Sequence, residues 1–83
     1  MDGRGADREL DCLGLYCPMP VTMTRKEVEK LEQGEVLRVV ADDPAAEEDI
    51  TRWARRTGNE LISLEKKDGE MIFIIRKGGG DGR

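Results

Sequence analysis

The chain has 83 residues, which allows one domain with a modest core and little room for an enclosed active site. With 18 acidic and 14 basic side chains, its net charge of −4 disfavours nucleic-acid binding, which needs a positive surface to displace counterions from phosphate. There is no histidine, so Cys–His nucleophilic pairs and histidine-based metal sites are excluded.

Targeting signals are not evident in the sequence. No apolar run reaches the ~20 residues that span a bilayer, and residues 1–8 lack the apolar segment of a secretory signal. We therefore expect a cytoplasmic protein that does not bind membranes, with both cysteines, Cys12 and Cys17, as thiols. We also expect a flexible N-terminus at 1–8, a single domain at 9–77 and a flexible glycine-rich tail at 78–83.

The first predicted element is a short strand. Leu10 and Cys12 alternate with Glu9 and Asp11, which is the pattern of a half-buried strand. Gly14 then breaks the strand, because glycine can adopt positive φ without steric cost.

The first predicted helix begins beside Cys17. Pro18 disfavours helical angles for the residue before it and itself suits the first helical position, so we expect Cys17 to be the N-cap. Tyr16 and Val21 would then pack as a hydrophobic staple. The helix is predicted to end with Gly34 as its C-terminal cap.

The second half of the chain begins with a strand at 35–41, which is rich in β-branched and apolar residues. Asp43 and Pro44 then repeat the helix-start pattern, and Gly58 ends the second helix. This helix carries an apolar stripe at helical spacing, which predicts a core-facing side made of Ala46, Ile50, Trp53, Ala54 and Thr57.

Two final strands, 61–66 and 71–77, are separated by the hairpin signal Lys67-Asp68-Gly69. The order strand, helix, strand, helix, strand, strand predicts an α/β (α+β) two-layer sandwich, in which a mixed four-stranded sheet carries both helices on one face. Ile72 and Ile74 leave the opposite face partly apolar, and such a face can be a contact surface.

The segment around Cys17 is the one that indicates chemistry. A cysteine at a helix N-cap feels the partial positive charge of that terminus, which favours the thiolate that could take the outer sulfur from a persulfide. Because Pro18 and Pro20 lack N–H groups, we expect the Met19 N–H to be available to the sulfur, and the prolines to stiffen the loop. The alternative is that Cys17 has no chemical role and packs under Tyr16 as a small apolar residue.

The other candidate residues indicate structure more than chemistry. Cys12 is in phase with Leu10, which predicts a buried core thiol, and the alternative is a resolving or regulatory disulfide with Cys17. The acidic run Asp42-Asp43-Pro44 fits helix capping better than metal binding, because it has no further ligands nearby in the sequence. No metal and no cofactor are expected.

Over residues 10–77 the sequence resembles the TusA/SirA-like family of sulfur-transfer proteins. The most specific part is the Cys-Pro-x-Pro motif at Cys17-Pro18-Met19-Pro20, preceded by Asp11 and Gly14-Leu15. Further matching positions are Gly34-Glu35, Asp42-Asp43-Pro44, Asp49-Ile50, Trp53-Ala54 and Thr57-Gly58. The resemblance implies a persulfide relay with Cys17 as the sulfur-bearing residue and Gly14, Pro18, Met19 and Pro20 as supporting residues.

The resemblance implies a sulfurtransferase-type carrier more than a stand-alone enzyme. Donors in such systems are cysteine desulfurases or rhodaneses, and acceptors include DsrE-type relay proteins, tRNA thiolation and molybdenum-cofactor pathways. Two alternatives stay open: a thiol–disulfide redox protein that uses Cys12 and Cys17, and a non-enzymatic regulatory or interaction module. Cys12 and Asn59 depart from the family pattern, which leaves open a role for a second thiol and argues against a histidine-dependent step.

Overall fold

Six elements follow one another in the predicted order in the part of the chain that the computed structural model describes, residues 6–78. They are β1 (Arg8–Cys12), α1 (Met19–Glu29), β2 (Val36–Ala41), α2 (Pro44–Thr57), β3 (Glu60–Lys67) and β4 (Glu70–Arg76). The termini expected to be flexible, 1–8 and 78–83, lie largely outside the described residues.

Across residues 6–78 the strands form one mixed four-stranded sheet in the order β1-β2-β4-β3. Strand β1 runs parallel to β2, whereas β4 is antiparallel to both β2 and β3. A parallel pair needs a long crossover, which here contains α1. Because β1 and β2 are parallel, their carboxyl ends lie at the same edge, where Cys12 pairs with Ala41. The loops that follow the two strands therefore meet there.

The core lies between the sheet and the two helices, as predicted. Alternate residues of β2 and β4 are buried, including Leu37, Val39, Phe73 and Ile75, each with no exposed surface. The predicted stripe on α2 faces them, with Ala46, Ile50, Trp53 and Ala54 all buried. On the opposite face of the sheet, Ile72 and Ile74 are half-buried.

Helix α1 differs from the prediction at both ends. The Pro18 carbonyl accepts the first intrahelical bond, from the Thr22 N–H at 3.0 Å, which makes Pro18 the N-cap and leaves Cys17 one residue outside the helix. The helix ends at Glu29, because the N–H groups of the next two residues bond three residues back and tighten the last turn. Gly34, with φ of 91°, lies in the following turn instead of capping the helix.

The predictions for the second half of the chain are confirmed. Asp43 is the N-cap of α2, and its side chain accepts a hydrogen bond from the Ala45 N–H. The helix ends at Gly58, which has φ of 80°. The β3–β4 hairpin turns at Asp68 and Gly69, both with positive φ, as the type I′ geometry requires. Within residues 6–78, neither helix is long and apolar enough to cross a membrane.

Candidate functional site

The candidate site lies at the sheet edge where β1 and β2 end. We call residues 13–18, between β1 and α1, the cysteine loop. The loop carries Cys17 with its thiol exposed, and its Cys17–Pro18 peptide bond is cis. Gly14 turns the chain as it leaves β1 with φ of 79°, the left-handed region that favours glycine.

Two carboxylates from the end of β2 hold the backbone of the cysteine loop. The Gly14 N–H donates to Asp42 Oδ1 at 3.0 Å, and the Cys17 N–H donates to Asp43 Oδ2 at 2.7 Å. Hydrogen bonds to ionised acceptors are shorter and stronger than those between neutral groups. The loop is therefore fixed from outside, by residues that follow a neighbouring strand.

Asp43 serves two elements at once. Its Oδ1 accepts from the Ala45 N–H at 3.1 Å, which caps α2, while Oδ2 accepts from Cys17. The carboxylate therefore couples the start of α2 to the position of the cysteine.

A third carboxylate reaches the sulfur itself. The Cys17 thiol donates to Asp49 Oδ2 at 3.0 Å, from α2 across to the cysteine loop. This hydrogen bond raises the pKa of Cys17 above that of a free thiol, and desolvation and the negative charges of Asp49 and Asp43 act in the same direction. The thiolate expected from the helix N-terminus is therefore not the favoured form, and that prediction is wrong.

Two further expectations for the loop are also wrong. The Met19 N–H donates to the Tyr16 carbonyl at 2.8 Å, so it is not available to the sulfur of Cys17. With Pro18 as the N-cap, Tyr16 and Val21 no longer occupy the staple positions, and both Tyr16, at 72%, and Cys17 are exposed.

Cys12 is fully buried at the end of β1, as predicted. Burial raises the pKa of its thiol, and the charge of Asp11 adds to this. The two cysteines are both free thiols, one in the core and one on the surface. A disulfide between them would require Cys12 or the cysteine loop to move.

The supporting residues of the motif divide between the core and the surface. Pro20 lies in the first turn of α1 and is buried, whereas Met19, in the same turn, exposes 43% of its surface. Leu13 exposes 39%, so together with Tyr16 it gives the neighbourhood of Cys17 exposed apolar area. In the described part of the chain, no group of three or more Cys, Asp or Glu side chains is placed to hold a metal ion.

The roles of Asp43 and Asp49 toward the cysteine were missed by the sequence analysis. Asp43 was recognised as a helix cap alone, and Asp49 only as a position that matches the family pattern. They lie 26 and 32 positions from Cys17, so no local spacing connects them to it. The one available signal was that Asp42-Asp43-Pro44 and Asp49-Ile50 belong to the pattern shared with the family.

Comparison with known proteins identifies the family of the chain. The model of the family described as sulfurtransferase TusA matches residues 8–77. The chain belongs to this family.

Relatives of the TusA-family chain include proteins named as sulfur carriers. A putative sulfur carrier protein of Archaeoglobus fulgidus is 46% identical over 70 residues, covering 83% of this chain and 91% of the relative. The sulfur carrier protein TusA of Allochromatium vinosum is 39% identical over 71 residues, covering 86% of this chain and 93% of the relative. A putative sulfur carrier protein of Aquifex aeolicus is 47% identical over 77 residues, which are 93% of this chain but 39% of that longer relative.

The fold has a counterpart among solved structures. The crystal structure of a SirA-like protein from Desulfitobacterium hafniense superposes with a TM-score of 0.76 at 30% sequence identity. The match covers 86% of this chain and 97% of the other. The predicted α+β sandwich and the predicted family are thus both confirmed.

Proposed function

We propose that this protein is a sulfur carrier, which accepts sulfane sulfur as a persulfide on Cys17 and passes it to an acceptor protein. The observation that carries the proposal is the position of Cys17. It is an exposed thiol on a loop whose backbone is fixed by Asp42 and Asp43, in a chain of the TusA family.

The chemistry is an exchange related to thiol–disulfide exchange. The Cys17 sulfur attacks the outer sulfur of a donor persulfide, and the inner sulfur of the donor leaves as a thiolate. An acceptor cysteine then attacks the outer sulfur on Cys17 in the same way. The sulfane sulfur changes carrier without net oxidation or reduction, so the exchange requires no redox cofactor.

The partners in this proposal are proteins. Leu13, Tyr16 and Met19 present apolar surface around the thiol, and burial of apolar surface is the main favourable contribution to protein association. A cysteine desulfurase or a rhodanese would be the donor. The acceptor would be a DsrE-type relay protein or a component of tRNA thiolation or molybdenum-cofactor synthesis, in the cytoplasm.

Mass spectrometry after loading tests the proposal. The protein is incubated with a cysteine desulfurase and cysteine, and one sulfur, ~32 Da, is expected to be added and to be removed again by a reductant. Cys12→Ser should still load, because Cys12 is buried, and Cys17→Ser should not. Loading that persists in Cys17→Ser would contradict the proposal and favour a role for Cys12, whereas a wild type that does not load would favour a function without the thiol.

A further inference from the structure

We propose that Asp49 is the general base and general acid of this sulfur exchange: it takes the proton from Cys17 when sulfur arrives and returns it when sulfur leaves. The inference rests on the proposed function, because it assigns a role in the reaction of that same cysteine.

The geometry places the carboxylate where such a residue must be. Asp49 Oδ2 is 3.0 Å from Cys17 Sγ, within the hydrogen-bond reach that proton transfer needs. Asp49 is also held firmly, because the next residue, Ile50, is fully buried in the core and fixes this turn of α2. With no histidine in the chain, a carboxylate takes the position that imidazole has in Cys–His pairs.

The negative charges that act on the Cys17 thiol oppose its ionisation. Asp43, the N-cap of α2, and Asp49, in its second turn, act on Cys17 directly. Asp42 and Asp11 bind the neighbouring N–H groups of Gly14 and Leu13. Because the thiol is held protonated, loading needs a group that accepts its proton as the new bond forms.

Loading breaks two bonds and forms two. The Cys17 Sγ–H bond breaks and its proton passes to Asp49 Oδ2, while the electron pair on Sγ forms a bond to the outer sulfur of the donor persulfide. The S–S bond of the donor breaks, and its pair stays on the donor cysteine, which leaves as a thiolate.

When sulfur passes from Cys17 to the acceptor, the same bonds at Cys17 change in the opposite direction. A thiolate of the acceptor attacks the outer sulfur on Cys17, and the S–S bond breaks with its electron pair on Sγ. Asp49, now protonated, returns its proton to this sulfur. A protonated leaving group departs more easily than a free thiolate of high pKa, so the same residue assists both directions.

The test compares Asp49→Asn with the wild type in single-turnover loading from a cysteine desulfurase that already holds its persulfide. A free thiol of pKa about 8.5 is only ~0.3% ionised at pH 6, so loss of the base should slow loading by roughly 10²-fold there. The deficit should shrink as pH rises, since the variant depends on ionised thiol. Glu48→Gln removes the same charge from the neighbouring exposed position and should load normally.

A second measurement separates this role from a structural one. Alkylation of free Cys17 by iodoacetamide at pH 7 should become faster in Asp49→Asn, because the negative charge that favours the protonated thiol is gone. Slower loading together with faster alkylation supports the inference, since a misfolded site or a blocked thiol would not give this pair of results.

The outcomes distinguish the two proposals. If Asp49→Asn loads at the same rate and with the same pH profile as the wild type, the role of Asp49 is overturned and the carrier function stays intact. Failure of the wild type to load from a desulfurase or a rhodanese would overturn the proposed function itself. Faster loading of the variant at every pH would also overturn the inference, because it would show that Asp49 only restrains the thiol.

Discussion

The double hydrogen bonding of Asp43 gives a prediction that separates folding from the positioning of the cysteine. One carboxylate oxygen caps α2 at Ala45 and the other holds the Cys17 N–H. Alanine removes both acceptors. Asparagine keeps one oxygen that can cap the helix, but its second atom is an amide nitrogen, which donates and cannot accept from Cys17.

The expected magnitudes follow from the two contacts. Loss of an N-cap costs about 0.5–2 kcal/mol of unfolding free energy, and asparagine caps as well as aspartate. Loss of the charged bond to Cys17 adds about 1 kcal/mol, at the low end for such bonds because the freed N–H lies in an exposed loop and can bind water. We therefore expect about 2 kcal/mol for Asp43→Ala and about 1 kcal/mol for Asp43→Asn.

Urea denaturation followed by fluorescence provides the assay, because Trp53 is the single tryptophan of the chain and is buried. For a domain of this size, each kcal/mol corresponds to about 4–8 °C in Tm, so a thermal scan gives an independent value. Glu48→Ala is the matched control, because it removes an exposed acid of α2 whose ion pair with Arg52 is worth about 0.5 kcal/mol or less.

The order of the three variants decides the interpretation. If Asp43→Ala lies within about 0.5 kcal/mol of the wild type, the cap and the contact with the cysteine loop contribute nothing, and the reasoning fails. If Asp43→Asn equals the wild type, the bond to Cys17 has no energetic weight and the carboxylate is a helix cap only.

Three other predictions concern the thiol and the core. Free Cys17 should react with iodoacetamide more slowly than a cysteine peptide at pH 7, and its rate should level off at higher pH than that of the peptide, because its raised pKa lowers the thiolate fraction; an equal or earlier plateau would contradict the role of Asp49 in holding the proton. Pro20→Ala should lower the free energy of unfolding by about 2 kcal/mol in chemical denaturation, since Pro20 is fully buried and loses two methylene groups at about 0.8 kcal/mol each. An unchanged free energy of unfolding would mean that the surrounding side chains fill the space that the ring leaves. Phe73→Ala should cost about 3–5 kcal/mol, a large part of the total stability of such a domain, and a calorimetric transition of unchanged Tm would refute the assignment of Phe73 to the central core.

Much of the fold could be predicted because its signals are local. The pattern at Asp43, Pro44 and Gly58 defines α2 from both ends, and the Asp68-Gly69 turn defines the last hairpin. The alternation in β4 identifies the buried face of the sheet. Each of these features depends on neighbouring residues, so the sequence carries it directly.

The start of α1 was harder to predict from the sequence, although its signal is also local. Pro18 suits both the first helical position and the N-cap, and the choice depends on which carbonyl accepts the first intrahelical bond. The Thr22 N–H bonds to the carbonyl of Pro18, which moves Cys17 one residue away from the helix. A shift of one residue is within the usual uncertainty of helix ends, yet here it changes which N–H groups can face the sulfur.

The chemistry of Cys17 could not be predicted from its own segment, because two opposing effects act on the thiol and only one is local. The helix N-terminus would favour the thiolate, whereas the carboxylates of Asp43 and Asp49 favour the thiol. The carboxylates prevail because one of them bonds the sulfur directly and the Met19 N–H is engaged elsewhere. They reach Cys17 because the parallel pairing of β1 with β2 brings the two following segments to one edge. Under the proposed function, the carrier without bound sulfur therefore keeps the Cys17 thiol protonated and slow to react with other electrophiles. Under the same proposal, loading from a persulfide partner at this edge uses proton transfer from Cys17 to Asp49.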